Sequence, residues 1–134
     1  MHSKYEKAHA WSSVVIGAAI EVHRLKGSGL IESIYEKCLV RELELRGVPV
    51  ASQVVVTIDY KGYVFQEPLR LDVFVDSCLM VELKAVEVVH PIHKAQLFSY
   101  MKLLDAPLGL LINFHEVVLK SGIHRLMLPG SDTP

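Results

Sequence analysis

Apolar residues recur every three to four positions over residues 6–26, with Trp11, Val14, Val15, Ala18, Val22 and Leu25 on one broad stripe, which predicts an amphipathic helix. Gly27-Ser28-Gly29 ends it. A second helix is expected over residues 30–46, with Ile31, Ile34, Tyr35, Cys38, Leu39 and Leu43 facing inward and Gly47 as the stop. The period then changes. Residues 53–59 form a β-branched run, Lys61-Gly62 between Tyr60 and Tyr63 reads as a tight turn, and a strand over 63–67 is expected to end at Pro68.

Two short apolar runs, LDVFV and LMVEL, flank Asp76-Ser77-Cys78 and predict a β-hairpin. After a connector at 85–90, Pro91 opens a helix that reaches about Leu104. Residues 108–114 are almost continuously apolar, as in a strand covered on both faces. A last strand is expected over 117–128 with a break at Ser121-Gly122. The ends, 1–5 and 129–134, are expected to be frayed and loose. The order is α, α, β, β, β, β, α, β, β in a single domain.

The central hairpin carries charges that a plain core would reject. With a three-residue loop, Val75 pairs with Leu79, and Leu71/Leu83, Val73/Val81 and Val75/Leu79 make one face wholly apolar. The other face then holds Arg70/Lys84, Asp72/Glu82 and Phe74/Met80. A two-residue loop would scatter charges over both faces, so the three-residue loop is preferred. Opposed like charges destabilise a strand pair, and at about 5 Å and an effective dielectric of about 20 the repulsion is roughly 3 kcal/mol. A proton, the neighbouring Lys84 and Arg70, or a divalent cation could offset it.

At 134 residues the chain is long enough to bury roughly two-thirds of its unfolded surface. It is also 51% hydrophobic, which for so small an interior implies that some apolar area lies in a homo-oligomer interface, a homodimer in the simplest case. A net charge of −1 supplies no global field toward nucleic acid or anionic membrane, so binding to either must be local. Cys38 and Cys78 form neither a disulfide framework nor a zinc spacing and fit a reducing cytoplasm. The apolar stretch 14–20 is too short for a membrane span, and acidic Glu6 and Glu21 flank it, so neither a membrane helix nor a signal peptide is expected.

Asp72, Glu82 and Lys84 are spaced D-x9-E-x-K. Two carboxylates on neighbouring strands can hold Mg²⁺ or Mn²⁺, and a lysine two residues past the glutamate lies on the same face, where it can orient a metal-bound water. Phosphodiester hydrolysis needs those parts, together with positive charge near the developing phosphorane oxygens. Gln96 and Tyr100 stand four apart on the next helix and could bind water or phosphate; boundary residues on an amphipathic helix have the same spacing. Glu32 opens the second helix after a loop whose glycine permits close backbone approach; a first-turn glutamate also simply complements the helix dipole. His90 and His93 flank Pro91 as a loop residue and a polar helix position, with metal ligation the minor reading.

With these residues assembled, the chain resembles the GxxExxY protein family, a branch of the PD-(D/E)XK nuclease superfamily. The signature stands as Gly29-Leu30-Ile31-Glu32-Ser33-Ile34-Tyr35, and the likeness continues through Tyr60-Lys61-Gly62, Asp72-Val73-Phe74-Val75, Val81-Glu82-Leu83-Lys84-Ala85, Ala95-Gln96-Leu97 and Leu111-Ile112-Asn113-Phe114. It covers roughly residues 10–128. Leu71 replaces the proline of the superfamily's name, Ser28 the usual proline or glycine before the signature, and His115 the expected glycine.

The resemblance implies a mixed α/β, restriction-endonuclease-like αβββαβ core with an extra N-terminal helix and C-terminal strand. It implies a Mg²⁺ (or Mn²⁺) site made by Glu32, Asp72, Glu82 and the Leu83 main-chain carbonyl, with Lys84 positioning water. Gln96-x-x-x-Tyr100 resembles the motif of RecB-type nucleases on the helix after E-x-K. The expected activity is metal-dependent cleavage of nucleic acid, DNA before RNA, with Arg70, Lys94 and Lys102 against the backbone. The rival expectation is an inactive domain that keeps the fold to bind nucleic acid or protein.

Overall fold

The structure, a computed structural model, describes residues 1–134. Its elements are α1 (Tyr5–Lys26), α2 (Glu32–Leu45), β1 (Val50–Tyr60), β2 (Tyr63–Val75), β3 (Leu79–Lys84), α3 (Pro91–Leu104), β4 (Leu108–Asn113), a 3₁₀ turn (Leu119–Gly122) and β5 (Ile123–Met127). The strands make one mixed sheet in the order β1-β2-β3-β4-β5, antiparallel except where β3 runs parallel to β4. A parallel neighbour requires a crossover, and α3 supplies it. This is the mixed α/β architecture expected.

Two cores lie on the two faces of the sheet. On one, α1 and α2 bury Val15, Ala18, Val22, Tyr35, Leu39 and Leu43 against the apolar hairpin residues Val73, Val75, Leu79, Val81 and Leu83. On the other, Leu97 and Met101 of α3 pack on Phe74, Met80 and Leu111. Every residue of β4 is buried, because helices cover it on both sides. At the ends of the helical stripes Leu25, Ile31 and Ile34 are exposed rather than inward.

Val75↔Leu79, Phe74↔Met80 and Val73↔Val81 are paired, so the hairpin has the three-residue loop. Asp76 and Ser77 adopt positive φ there (48° and 55°), and the Asp76 carboxylate accepts the Trp11 Nε1–H at 3.0 Å, tying the loop to α1. Leu71 departs from the expected alternation. Ala51 pairs with Phe74 but Gln53 with Arg70, so Ser52 of β1 faces the bulged residues 71–73 of β2. The bulge turns Leu71 away from the Val73 face into the core under α3.

Pro68 does not end a strand, as the sequence suggested, but lies inside β2 opposite Val55. An antiparallel pair containing proline cannot exchange hydrogen bonds, so the face lacking an N–H points away from β1. On that side β3 stops short, its ladder reaching β2 only at residues 73–75. The missing donor therefore breaks no ladder.

Two further expectations are corrected. Val117 and Val118 are not strand but exposed lead-in to the 3₁₀ turn, and β5 begins only at Ile123. The chain ends are not loose: the His2 N–H donates to the Ser131 carbonyl at 2.9 Å, Ser131 is buried, and the His2 ring reaches Asp105 at 2.8 Å.

Candidate metal centre

Glu32 is the first residue of α2, and its place is set by Tyr35 one turn on. The fully buried Tyr35 hydroxyl donates to the Gly27 carbonyl at 2.6 Å and accepts the Leu30 N–H at 3.0 Å. Its ring stacks on Phe114, just past β4, with centroids 4.4 Å apart. One side chain thus closes the loop 27–30 and docks the start of α2 on the sheet. The expected close approach at Gly29 is not what this loop uses, since a Cβ there would meet nothing within 4 Å; the conformational demand falls on Gly27, at φ +76°.

Asp72 sits in the β2 bulge, where the ladder to β3 has run out. Its Oδ2 accepts the Leu83 N–H at 2.8 Å, taking the donor that a β2 carbonyl would otherwise take. The N–H and C=O of a strand residue point the same way, so the Leu83 carbonyl is also turned toward Asp72. Glu82, one residue earlier on β3, completes the group. One carboxylate oxygen from each of Glu32, Asp72 and Glu82 lies within 4.8 Å of the others. Lys84 Nζ stands 3.6 Å from Glu82 Oε1.

Three half-buried carboxyls so close disfavour their common ionisation. Burial first, then the Asp72 charge, push Glu82 up to about 7, against the pull of Lys84. Burial also raises Glu32, with Lys84 opposing and Asp72 and Glu36 adding. Glu36 joins the group although no motif in the sequence points to it. It lies one turn after Glu32, is raised by burial and by Asp72, and meets the Arg70 guanidinium at 3.3 Å. Its i, i+4 spacing from Glu32 was visible; its approach to Asp72 was not.

The donor set fits a hard divalent cation: all oxygens, converging from two strands and a helix, with their repulsion otherwise offset only by protons and Lys84. Not every nominated residue joins the group. Gln96 and Tyr100 are exposed on α3 without a hydrogen bond to the three carboxylates. Lys94 and Lys102 are exposed, the latter over the Phe98 ring at 4.9 Å, and Arg70 is engaged by Glu36. The His90 N–H donates to His93 Nδ1 at 3.3 Å, so this pair caps α3.

Behind Lys84 lies a buried clamp that the sequence reading noted only within a motif. The Asn113 amide donates to the Val86 carbonyl at 2.8 Å, and its oxygen accepts the N–H of Val86 at 3.1 Å and of His115 at 3.2 Å. The Phe114 N–H donates to the Lys84 carbonyl at 2.8 Å. Together these bonds hold the backbone on which Lys84 stands.

A strand aspartate, an E-x-K strand and a helix glutamate thus meet around one point, and comparison with known proteins identifies the family. The family model of the PD-(D/E)XK nuclease superfamily matches residues 9–126, and the chain belongs to that superfamily. Its five-stranded mixed sheet and three helices are those of a restriction-endonuclease-like fold. The crystal structure of SSO0001 is similar with a TM-score of 0.53 at 20% identity, over 91% of this chain and 61% of that one. This chain thus spans less than two-thirds of that protein's length, and the likeness concerns the fold alone. No match is found among curated proteins.

Proposed function

We propose that the protein hydrolyses phosphodiester bonds in nucleic acid, DNA in the first place, at the centre formed by Glu32, Asp72, Glu82 and Lys84. The literal Gly29 to Tyr35 signature supports a place in the GxxExxY branch. The observation that carries the activity is the meeting of three carboxylate oxygens within 4.8 Å beside the Lys84 ammonium.

Glu32, Asp72, Glu82 and the Leu83 carbonyl would hold Mg²⁺ or Mn²⁺. When bound, such an ion supplies Lewis acidity and a water of lowered pKa. The chain's own contribution is position. Asp72 is fixed by the Leu83 N–H, Glu32 by the Tyr35 clamp, and Lys84 by the backbone bonds around Asn113. The Lys84 ammonium can donate to the attacking water or to a phosphate oxygen whose charge grows in the transition state. Gln96 and Tyr100 are assigned to orienting water or phosphate, and Arg70, Lys94 and Lys102 to the backbone. No helix is long and apolar enough to cross a membrane, and two free cysteines suit a reducing, cytoplasmic setting.

The test is cleavage of duplex, single-stranded, flapped and branched DNA with Mg²⁺ or Mn²⁺. Lys84→Ala should abolish it with the fold intact by circular dichroism; equal cleavage by the variant refutes the assignment. A second reading, an inactive domain that binds nucleic acid or protein, is favoured by the net charge of −1 and by the engagement of Arg70 with Glu36. It predicts no metal-dependent cleavage of any substrate.

A further inference from the structure

The two edges of the sheet are built differently. Strand β5 has five residues, contains His124 and Arg125, and places Arg125 against His9 at 2.8 Å. A short, charged, tethered strand resists pairing with another chain. Strand β1, at the opposite edge, has eleven residues, and Asp59 is its only charged one. It carries no lysine and no proline.

The register with β2 shows which groups of β1 are open. From Gln53 to Tyr60 the pairing with β2 runs without interruption, and Val55 faces Pro68. Pro68 has no N–H, so that pair exchanges no hydrogen bonds, and the N–H and C=O of Val55 point outward. Alternation extends this to Gln53, Thr57 and Asp59. Beside them the distal hairpin exposes large apolar side chains: Val55 (66%), Tyr60 (65%), Tyr63 (69%) and Val64 (56%).

We propose that β1 is the self-association edge of this protein, pairing antiparallel with β1 of a second copy across a two-fold axis to continue the sheet. The charge pattern selects that occupant. Nucleic acid is disfavoured because the hairpin over residues 50–70 holds two cations, Lys61 and a Glu36-engaged Arg70, against Asp59 and Glu67. A second copy meets no such obstacle: a two-fold at Val55 sets Gln53 opposite Thr57, and Asp59 opposite Ala51 rather than opposite itself. It would also bury exposed valines of both hairpins and account for part of the apolar excess. None of this depends on the nuclease reading.

Val55→Pro tests the pairing, because the N–H it deletes is one that β2 does not use. Val55→Lys, on an exposed side chain, sets like charges across the axis. Sedimentation velocity of the full chain over a range of concentrations should show a reversible dimer. Because each change occurs twice in an isologous interface, self-association should weaken by about tenfold or more in both variants, with circular dichroism retained. A wild-type chain that stays monomeric at every concentration overturns the proposal. So does a dimer that both folded variants form as tightly as the wild type.

Discussion

The Asp72 carboxylate accepts the Leu83 N–H at 2.8 Å, so a side chain finishes a ladder that the backbone of β2 has left. The bulge at 71–73 makes this possible, turning Leu71 into one core and leaving the β3 edge open beyond Val81. The same bond leaves Asp72 close to Glu82, whose carboxyl is raised by burial first and by the Asp72 charge second, which favours whatever neutralises the pair. A sheet irregularity, a structural hydrogen bond and a candidate ligand are one feature.

Asp72 should therefore have separable structural and chemical roles. Asp72→Ala leaves the Leu83 N–H without its partner, at about 1–3 kcal/mol, partly offset by relief of the charge on Glu82. Asp72→Asn keeps an acceptor oxygen while removing the charge. Metal-free urea unfolding should show the asparagine variant close to wild type and the alanine variant less stable by about 1–2 kcal/mol. Mn²⁺ should raise the melting temperature of the wild type, and both variants should lose that rise.

The Tyr35 hydroxyl acts on the candidate metal site through the loop that places Glu32. Tyr35→Phe keeps the stack on Phe114 but deletes the bonds to Gly27 and Leu30, which should cost about 1–2 kcal/mol and loosen the start of α2. Mn²⁺ affinity measured by calorimetry should fall in the phenylalanine variant. In a Glu32→Gln background the same change should leave the residual affinity unmoved, because the ligand it positions is gone.

What the sequence revealed and what it hid divide along a physical line. The hairpin register was legible because only one loop length keeps Leu83, Val81 and Leu79 on an apolar face. The meeting of Asp72 and Glu82 followed from it. Pro68 was misjudged because proline is tolerated or not according to whether a neighbouring strand reaches its open side, and that depends on the length of β3. The displacement of Leu71 follows from pairing with β1, which no local pattern in β2 contains. Glu36 looked like any helix-surface glutamate until the fold brought Arg70 and Asp72 to it. The signature tyrosine was recognisable as a motif, but its task became visible only with the atoms it bonds.

Asn113 should prove a structural residue with a reach into the site. It is 1% exposed, and truncation would leave the Val86 N–H and C=O and the His115 N–H without partners. Asn113→Ala should lower stability by about 2 kcal/mol or more unless water enters the gap. Asn113→Asp keeps the acceptor but loses the donor to the Val86 carbonyl, and is expected to be intermediate. Thermal unfolding of the three proteins gives the order, and a wild-type melting temperature for the alanine variant would refute the clamp.

Glu82 makes the metal-free protein sensitive to pH in a defined direction. Its carboxyl is raised from 4.5 to about 7 in the folded state, so the fold binds this proton more tightly than the unfolded chain does. Stabilisation from that proton is complete below about 4.5 and is lost as pH rises through about 7. A shift of this size is worth at most about 3 kcal/mol, less the part shared with Asp72. A divalent ion competes for the same oxygens, so added Mg²⁺ should raise stability more at about pH 8 than at about pH 6. Urea unfolding across this range should show metal-free stability declining toward alkaline pH, with Mg²⁺ restoring it. Glu82→Gln should flatten both responses, and a wild-type profile that is level from about pH 5 to 8 would show that no carboxyl of the group is raised.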